Sequence, residues 1–250
     1  NSLFKAIMFG LKCLTHFLRG STNMQALQDH ITSFEHSDSW RSSADAMVLG
    51  DIFDKGISVA VWTRPEVPLV TQYYVDVFKS LGMGIRGVFS LTSLKEEIAK
   101  LLPDGRNNAG KQAAIDDIYL LSDMLTTLFD CDSVGVRLVP LSSAMCPSFH
   151  VDNIPVRLVN TYLGEGTEWL PKESVVTRPM IGLNDANTQG LTKNRLGQHY
   201  RESSVRQMNA FDVGLLKGKS WQGHEEFAAV HRSCKVIPGT HRVLLTLDPM

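Results

Sequence analysis

The feature that most constrains the fold is a series of short β-type segments after Cys131, separated by clusters of Pro, Gly and Asn. The segments are Val134–Leu141, Phe149–Asp152, Val156–Leu163, Ser174–Thr177, Ala210–Leu216, Phe227–His231 and Arg242–Leu247. Seven short strands with turn signals between them are typical of a β-sandwich or barrel. We therefore predict a β-rich core over residues 131–250.

The part of the chain before Cys131 has mainly helical periodicity. A strand is predicted at Ile57–Trp62, a helix at about Glu66–Ser80, and a second helix after Ser93, where Ser93 and Glu96 resemble a capping box. Apolar residues recur at helical spacing from Lys111 to Phe129. The sequence predicts an α+β protein with a helical extension over residues 1–50 and one domain over 51–250. In that domain, residues 51–130 form a helical layer.

Composition excludes several classes of protein. The net charge is −1 and no run of Lys or Arg exceeds two residues, so we expect no nucleic-acid partner. Four cysteines without a CxxC pair indicate a reducing compartment, and no apolar stretch reaches the roughly 18–20 residues of a membrane span. A cytoplasmic location is expected. Residues 3–18 form a basic amphipathic pattern, typical of a membrane-surface or targeting segment or of a helix that packs on its own domain.

His150 and Asp152 are the first candidate site residues. They are two positions apart, so on a strand both side chains project from the same face. A carboxylate inside a β-sandwich is costly unless it is paired or binds a metal. Alone, the pattern also fits a polar pair at the surface end of a strand.

A second pattern lies near the C-terminus. Ten residues separate His231 from Arg242, which opens the last predicted strand. Two His and one carboxylate make the facial triad of non-haem iron(II) oxygenases, which leaves coordination positions open. The planar guanidinium of an Arg pairs bidentately with a carboxylate, as a co-substrate acid requires.

Taken together, the two patterns resemble the 2-oxoglutarate/iron(II)-dependent dioxygenase superfamily over residues 134–248. The fold of that superfamily is a jelly roll (double-stranded β-helix, cupin-like). A second resemblance is to an uncharacterised bacterial family of unknown function with a Cys-Pro-x-Phe-His-x-Asp motif. The sequences of residues 146–152 and 162–169 and of Trp62-Thr63-Arg64-Pro65 are more similar to this family. That second resemblance covers residues 57–248 and implies no established activity.

The superfamily resemblance implies roles for individual residues. His150, Asp152 and His231 would bind Fe(II), and Arg242 would bind 2-oxoglutarate. Asn160 and Tyr162 share a face of one predicted strand and would contact the same acid, unless they are ordinary polar residues of that strand. Leu244 departs from the pattern, because many relatives place Ser or Thr two residues after the Arg. The implied activity is hydroxylation of an unidentified small-molecule or peptide substrate.

Two other interpretations stay open. Cys146 lies four residues before His150 and Cys234 three after His231, and a thiolate from either would complete a closed zinc site. The chain would then be a zinc-binding or metal-handling jelly roll without oxygenase activity. In the third interpretation the pattern is a coincidence and the sandwich is a metal-free binding protein. The sequence does not indicate an oligomeric state.

Overall fold

The computed structural model describes residues 38–175, 190–223 and 225–250, and Asp38–Met250 forms a compact unit. The amphipathic segment at residues 3–18 and most of the predicted extension lie outside the described residues. The described end of that extension has a short strand, Trp40–Ser43, and a 3-10 helix, Ala46–Phe53. No helix in the described ranges is long and apolar enough to cross a membrane.

Twelve strands are present in the described residues, and most of them belong to one large sheet. The strands are β1 Trp40–Ser43, β2 Val59–Trp62, β3 Ile85–Ser90, β4 Ser133–Leu141, β5 Val156–Leu163, β6 Glu168–Leu170, β7 Thr192–Lys193, β8 His199–Tyr200, β9 Arg206–Gln207, β10 Val213–Lys217, β11 Val230–Arg232 and β12 Arg242–Pro249. The large sheet has the order β1-β2-β10-β5-β12-β4-β3, and a small sheet has the order β11-β6-β9. All neighbours in the large sheet are antiparallel except β1 and β2.

In the described part of the chain, three α-helices cover one face of the large sheet. They are α1 Pro68–Val77, α2 Leu94–Leu101 and α3 Asn108–Phe129. Pro68 opens α1, where a missing N–H costs nothing, and the Asn107 side chain accepts a hydrogen bond from Ala109 N–H at the start of α3. Helix α3 ends at Phe129, because the left-handed backbone of Asp130 (φ 50°) stops the helical repeat.

The main hydrophobic core lies between these helices and the sheet. Leu121 and Leu125 of α3 are fully buried, and they belong to one cluster with Val136 and Leu138 of β4. Burial of each such side chain contributes about 1.5–3 kcal/mol. Because side chains alternate along a strand, the residues between them, such as Arg137, point to the opposite face of the sheet.

That opposite face is covered by the small sheet over part of its width. A second apolar cluster joins the two sheets, with Val61 and Val159 from the large sheet and Trp169 from the small one. Trp169 also makes an edge contact with Trp40 of β1, with ring centroids 5.9 Å apart. The two sheets therefore enclose a space on the side of the molecule away from the helices.

The described elements confirm some sequence predictions and correct others. The strand at Val156–Leu163 is confirmed with both bounds, and the long helix begins three residues earlier than predicted. The strand predicted at Ser174–Thr177 is wrong over its described residues, because a 3-10 turn occupies Lys172–Ser174. The strand predicted at Ile57–Trp62 is confirmed as β2, whereas β3 was not predicted, and both strands join the same sheet as the later ones.

Candidate metal centre

His150 and His231 are neighbours through a backbone bridge. The N–H of His150 donates to the carbonyl of His231 at 3.0 Å, and the N–H of His231 donates back at 2.9 Å. His231 lies on β11, whereas His150 makes only this isolated bridge, so the strand predicted at Phe149–Asp152 is wrong. The bridge places the imidazole rings side by side, with centroids 4.5 Å apart.

Asp152 completes the group. One carboxylate oxygen, Oδ1, lies 3.7 Å from Nε2 of His150, and the other, Oδ2, lies 3.7 Å from Nε2 of His231. All three ligand atoms lie within 4.8 Å of one another. The structure therefore brings together the three residues that the sequence predicts as metal ligands.

Backbone carbonyls orient both imidazoles. Nδ1 of His150 lies 3.0 Å from the carbonyl oxygen of Ser148, and Nδ1 of His231 lies 3.0 Å from that of Ala229. A proton on each Nδ1 satisfies these carbonyls and leaves the lone pair of Nε2 directed at Asp152. Burial lowers the pKa of His231, which favours the neutral imidazole that binds metals.

Arg157 holds the carboxylate of Asp152. Its Nη1 donates to Oδ2 at 2.8 Å, while its Nη2 and Nε donate to Asp248 at 2.7 and 2.8 Å. Two imidazole nitrogens and one carboxylate oxygen are donors that fit a divalent metal. The described residues add no fourth His, Cys, Asp or Glu to the group, so a metal bound there would keep open coordination positions. This donor set suits iron(II) as well as zinc.

The three residues line a cavity of about 300 Å³ between the two sheets. Its other walls include Arg137, Val159, Arg242, Leu244 and Thr246 from the large sheet. This volume is at the lower end of the range found for small-molecule pockets. Leu244, which departs from the superfamily pattern, lies in this wall.

Arg242 is a buried cation in the wall of this cavity, with 1% of its surface exposed. Its Nε donates to the carbonyl of Glu165 at 2.7 Å, and its Nη1 donates to the hydroxyl of Ser233 at 2.9 Å. Its Nη2 reaches the hydroxyls of Thr161 and Thr167 at 3.2 and 3.3 Å. Among the described residues no carboxylate accepts a hydrogen bond from Arg242, and burial lowers its pKa. A buried guanidinium with only neutral partners favours an anion in the cavity.

The structure corrects the prediction for Asn160 and Tyr162. Asn160 lies opposite Val213 and Leu245, whose side chains belong to the core beneath the helices. Tyr162 lies in the same core and stacks on Tyr74, with ring centroids 4.9 Å apart. Both predicted contacts face away from the cavity, because alternation along β5 directs the odd-numbered residues towards it.

The hydroxyls that contact Arg242 were not among the residues predicted for the site. Thr161 lies between the two residues that were predicted, on the cavity side of β5. Ser233 follows His231 by two positions, the same spacing as between His150 and Asp152, and this spacing was a signal for it. Thr167 lies beyond β5 and has no such signal.

Neither candidate cysteine belongs to the ligand group. Cys234 is buried, its thiol donates to the carbonyl of Glu165 at 3.2 Å, and burial raises the pKa of that thiol. Cys146 is exposed and contributes to the cavity wall, and its backbone carbonyl accepts a hydrogen bond from Ser233 N–H. The group that the structure forms from the described residues is His150, Asp152 and His231 without a thiolate.

Comparison with solved structures finds distant likenesses. A Pseudomonas putida prolyl-4-hydroxylase is 11% identical, covers 81% of this chain and 96% of its own, and has a TM-score of 0.40. AviO1 from Streptomyces viridochromogenes is 11% identical, with coverages of 82% and 94% and a TM-score of 0.40. A dioxygenase for auxin oxidation in rice is 12% identical, with coverages of 73% and 63% and a TM-score of 0.39.

Comparison of sequences gives a family. No curated protein sequence matches the chain. One family model, described as "Protein of unknown function (DUF1826)", matches residues 43–248 and so includes all of the metal-centre residues. Since that match covers most of its length, the chain belongs to the DUF1826 family.

Proposed function

We propose that this protein is a mononuclear non-haem iron(II), 2-oxoglutarate-dependent oxygenase that hydroxylates a small-molecule or peptide substrate. One observation carries the proposal. Two imidazoles and one carboxylate converge on a cavity whose wall also contains Arg242, a buried cation with no carboxylate partner in the described chain. A metal centre with open positions beside a buried anion-binding residue fits a co-substrate that is both a chelator and an acid.

Each residue then has a defined task. His150, Asp152 and His231 hold the iron(II), which when bound supplies the redox chemistry for hydroxylation with dioxygen and 2-oxoglutarate. Arg242 receives the carboxylate of 2-oxoglutarate that is distant from the metal. The hydroxyls of Thr161, Thr167 and Ser233 hold the guanidinium of Arg242 in position before the acid arrives. Leu244 contributes apolar surface to the cavity in place of a further hydroxyl.

The fold proposed for this activity is a jelly roll of the double-stranded β-helix type, within a single domain over residues 51–250. The two packed sheets support it, because His231 lies on the small sheet and Arg242 opens a central strand of the large one. The site is therefore assembled between sheets. The helices stiffen the large sheet from its other face.

The test is a titration of the anaerobically purified protein with iron(II) and then with 2-oxoglutarate. The wild type should develop the weak visible charge-transfer band of an iron(II)–2-oxoglutarate chelate. His231→Ala should abolish the band, and Arg242→Ala should shift it to higher 2-oxoglutarate concentration. His241→Ala is the matched control, because His241 is exposed and lies outside the ligand group.

Tightly bound zinc without any response to 2-oxoglutarate would contradict this proposal. It would favour a metal-handling protein instead. Cys146 would then be the next residue to replace, since it contributes to the same cavity wall.

A further inference from the structure

Two arginines lie directly opposite each other on neighbouring strands, on the face of the large sheet that does not pack against the helices. Arg86 of β3 is in register with Arg137 of β4, and Arg137 is in register with Thr246 of β12. Arg137 and Thr246 both line the metal-centre cavity. The pair of arginines therefore extends from the cavity wall to the exposed edge of the sheet.

Neither arginine of this pair forms an ion pair with a carboxylate in the described chain. Arg86 is exposed and has no hydrogen-bond or ion-pair partner among the described residues, and Arg137 donates only to the sulfur of Met145, at 2.8 Å. The Nε atom of Arg137 is buried and has no partner. The nearby carboxylate of Asp248 is already held by two hydrogen bonds from Arg157.

Such an arrangement is unfavourable for the folded protein on its own. Like charges at opposite positions of an antiparallel pair repel, and partial burial of Arg137 weakens its hydration. Burial, followed by the charges of Arg86 and Arg157, lowers the pKa of Arg137. The structure thus contains an electrostatic cost that an anion in the cavity would remove.

This second cationic position is distinct from Arg242. Thr246, the partner of Arg137, is four residues beyond Arg242 on β12, so the two positions are about 13 Å apart along the strand. The two strand positions therefore lie at separate places in the cavity wall. One small acid bound at Arg242 leaves the Arg137 region available.

We infer that Arg137 and Arg86 together bind an oxyanion group of the substrate, a carboxylate or a phosphate. The inference relies on the proposed function in calling that ligand the substrate, whereas the anion site itself depends on the two arginines. Arg137 would hold the anion within the cavity. Arg86 would reach it from the exposed edge and add charge.

Isothermal titration calorimetry of the metal-free chain, residues 1–250, tests the site, with sodium phosphate as the probe at constant ionic strength in chloride. Arg137→Gln should weaken phosphate binding by about tenfold or more, since hydrogen bonds between charged groups are lost. Arg86→Gln should weaken it by less, because Arg86 is exposed. Arg106→Gln should bind phosphate as the wild type does; its side chain is 88% exposed and does not line the cavity.

A parallel titration with acetate distinguishes the two ligand chemistries. Tighter binding of phosphate identifies a phosphorylated substrate, and tighter binding of acetate identifies a carboxylic acid; each result supports the site when it depends on Arg137. Equal affinity of wild type and Arg137→Gln for both anions would overturn the inference. An equal loss in Arg106→Gln would overturn it too, because the binding would then be non-specific.

Thermal unfolding without added anion separates a binding role from a structural one. Removal of either charge relieves repulsion, so Arg86→Gln and Arg137→Gln should melt at or above the wild-type temperature. A lower melting temperature for Arg86→Gln would assign the pair to stability and overturn the inference.

The phosphate titration and the iron(II)–2-oxoglutarate titration test the two proposals separately. If phosphate binding requires Arg137 but the charge-transfer band never forms, the proposed oxygenase is rejected and the anion site is retained. If the charge-transfer band forms but phosphate binding does not depend on Arg137, the anion site alone is rejected.

Discussion

At the residue scale, the position of Asp152 depends on Arg157. Asp152 lies in a loop segment between the His150 bridge and β5, where no strand pairing holds its backbone in register. The guanidinium of Arg157 bridges Asp152 and Asp248, so it connects the loop to β12. A ligand carboxylate without this brace would rotate away from the two imidazoles.

Replacement of Arg157 should therefore weaken metal binding while all three ligands remain. Residues that orient metal ligands typically contribute about 10–100-fold in affinity, and we expect Arg157→Met to fall in this range. Titration of Mn(II) followed by calorimetry measures the change, with Arg106→Met as the control for loss of one positive charge. Unchanged Mn(II) affinity in Arg157→Met would show that the loop itself positions Asp152.

The candidate ligands were predictable from sequence although the local structure was not. The spacing of His150 and Asp152 indicated a shared direction on a strand, but the structure has a two-residue bridge followed by a loop. The side chains still converge, because the bridge aligns His150 with His231 and Arg157 draws in Asp152. Asn160 and Tyr162 were placed wrongly because the sequence alone does not specify which face of β5 meets the cavity.

At the element scale, helix α3 approaches α1 closely at Gly110. A Cβ atom built on Gly110 would lie 2.9 Å from the carbonyl oxygen of Leu69 and 3.0 Å from Cβ of Tyr73. Both atoms belong to rigid parts of α1, so the helices would have to separate. The loss of packing opposes the gain of about 1 kcal/mol that Ala normally brings to a helix interior.

Gly110→Ala should therefore destabilise the protein, by about 1–3 kcal/mol as expected for overpacking. Urea unfolding monitored by circular dichroism gives the difference in free energy of unfolding. Gln112→Ala serves as the control on the same helix, since Gln112 is exposed. If Gly110→Ala were as stable as the wild type or more so, the two helices would have room to separate without cost.

Strand β10 ends at Lys217, which is almost completely buried. Its Nζ donates to the carbonyl of Asp54 at 3.3 Å and lies 4.8 Å from the ring centre of Trp221. Burial lowers the pKa of this amine to about 8 from its ordinary 10.5. The unfolded chain thus binds more protons than the folded one between these two values, and stability should rise with pH across this interval.

Comparison with Lys217→Met isolates this effect from the other groups that titrate at high pH. From pH about 8 to 10.5 the wild type should gain stability relative to the variant, because only the wild type carries the buried amine. Urea unfolding of both proteins at several pH values provides the measurement. Parallel stability curves would mean that Lys217 keeps its charge in the fold.

The predictability of the elements follows from how each is stabilised. Helix α3 and strand β5 have strong periodic patterns, and their bounds were predicted within a few residues. Strand β3 was missed because Arg86, Gly87 and Ser90 interrupt its apolar residues and one face remains exposed. The short strand β6 exists through its pairing with β9 on one side and β11 on the other, and no local sequence pattern encodes these pairings.

At the scale of the whole molecule, the candidate metal centre joins parts of the chain that are far apart in sequence. His150 and Asp152 belong to the connection between β4 and β5, and His231 belongs to the small sheet. A bound metal thus links the small sheet to a connection between two central strands of the large one. Without a metal, the His bridge and the apolar cluster around Trp169 make this link.

A divalent metal should consequently stabilise the entire domain. A ligand that binds only the folded state at 100 times its Kd contributes about 2.7 kcal/mol, which for a protein of this size raises Tm by about 5–10 °C. Thermal unfolding of the EDTA-treated protein with and without Mn(II) measures the shift. His231→Ala should melt at the same temperature with and without Mn(II), whereas His241→Ala should retain the full shift. A Tm that rises equally in His231→Ala would place the stabilising metal elsewhere on the molecule and separate the stability of the fold from its candidate metal centre.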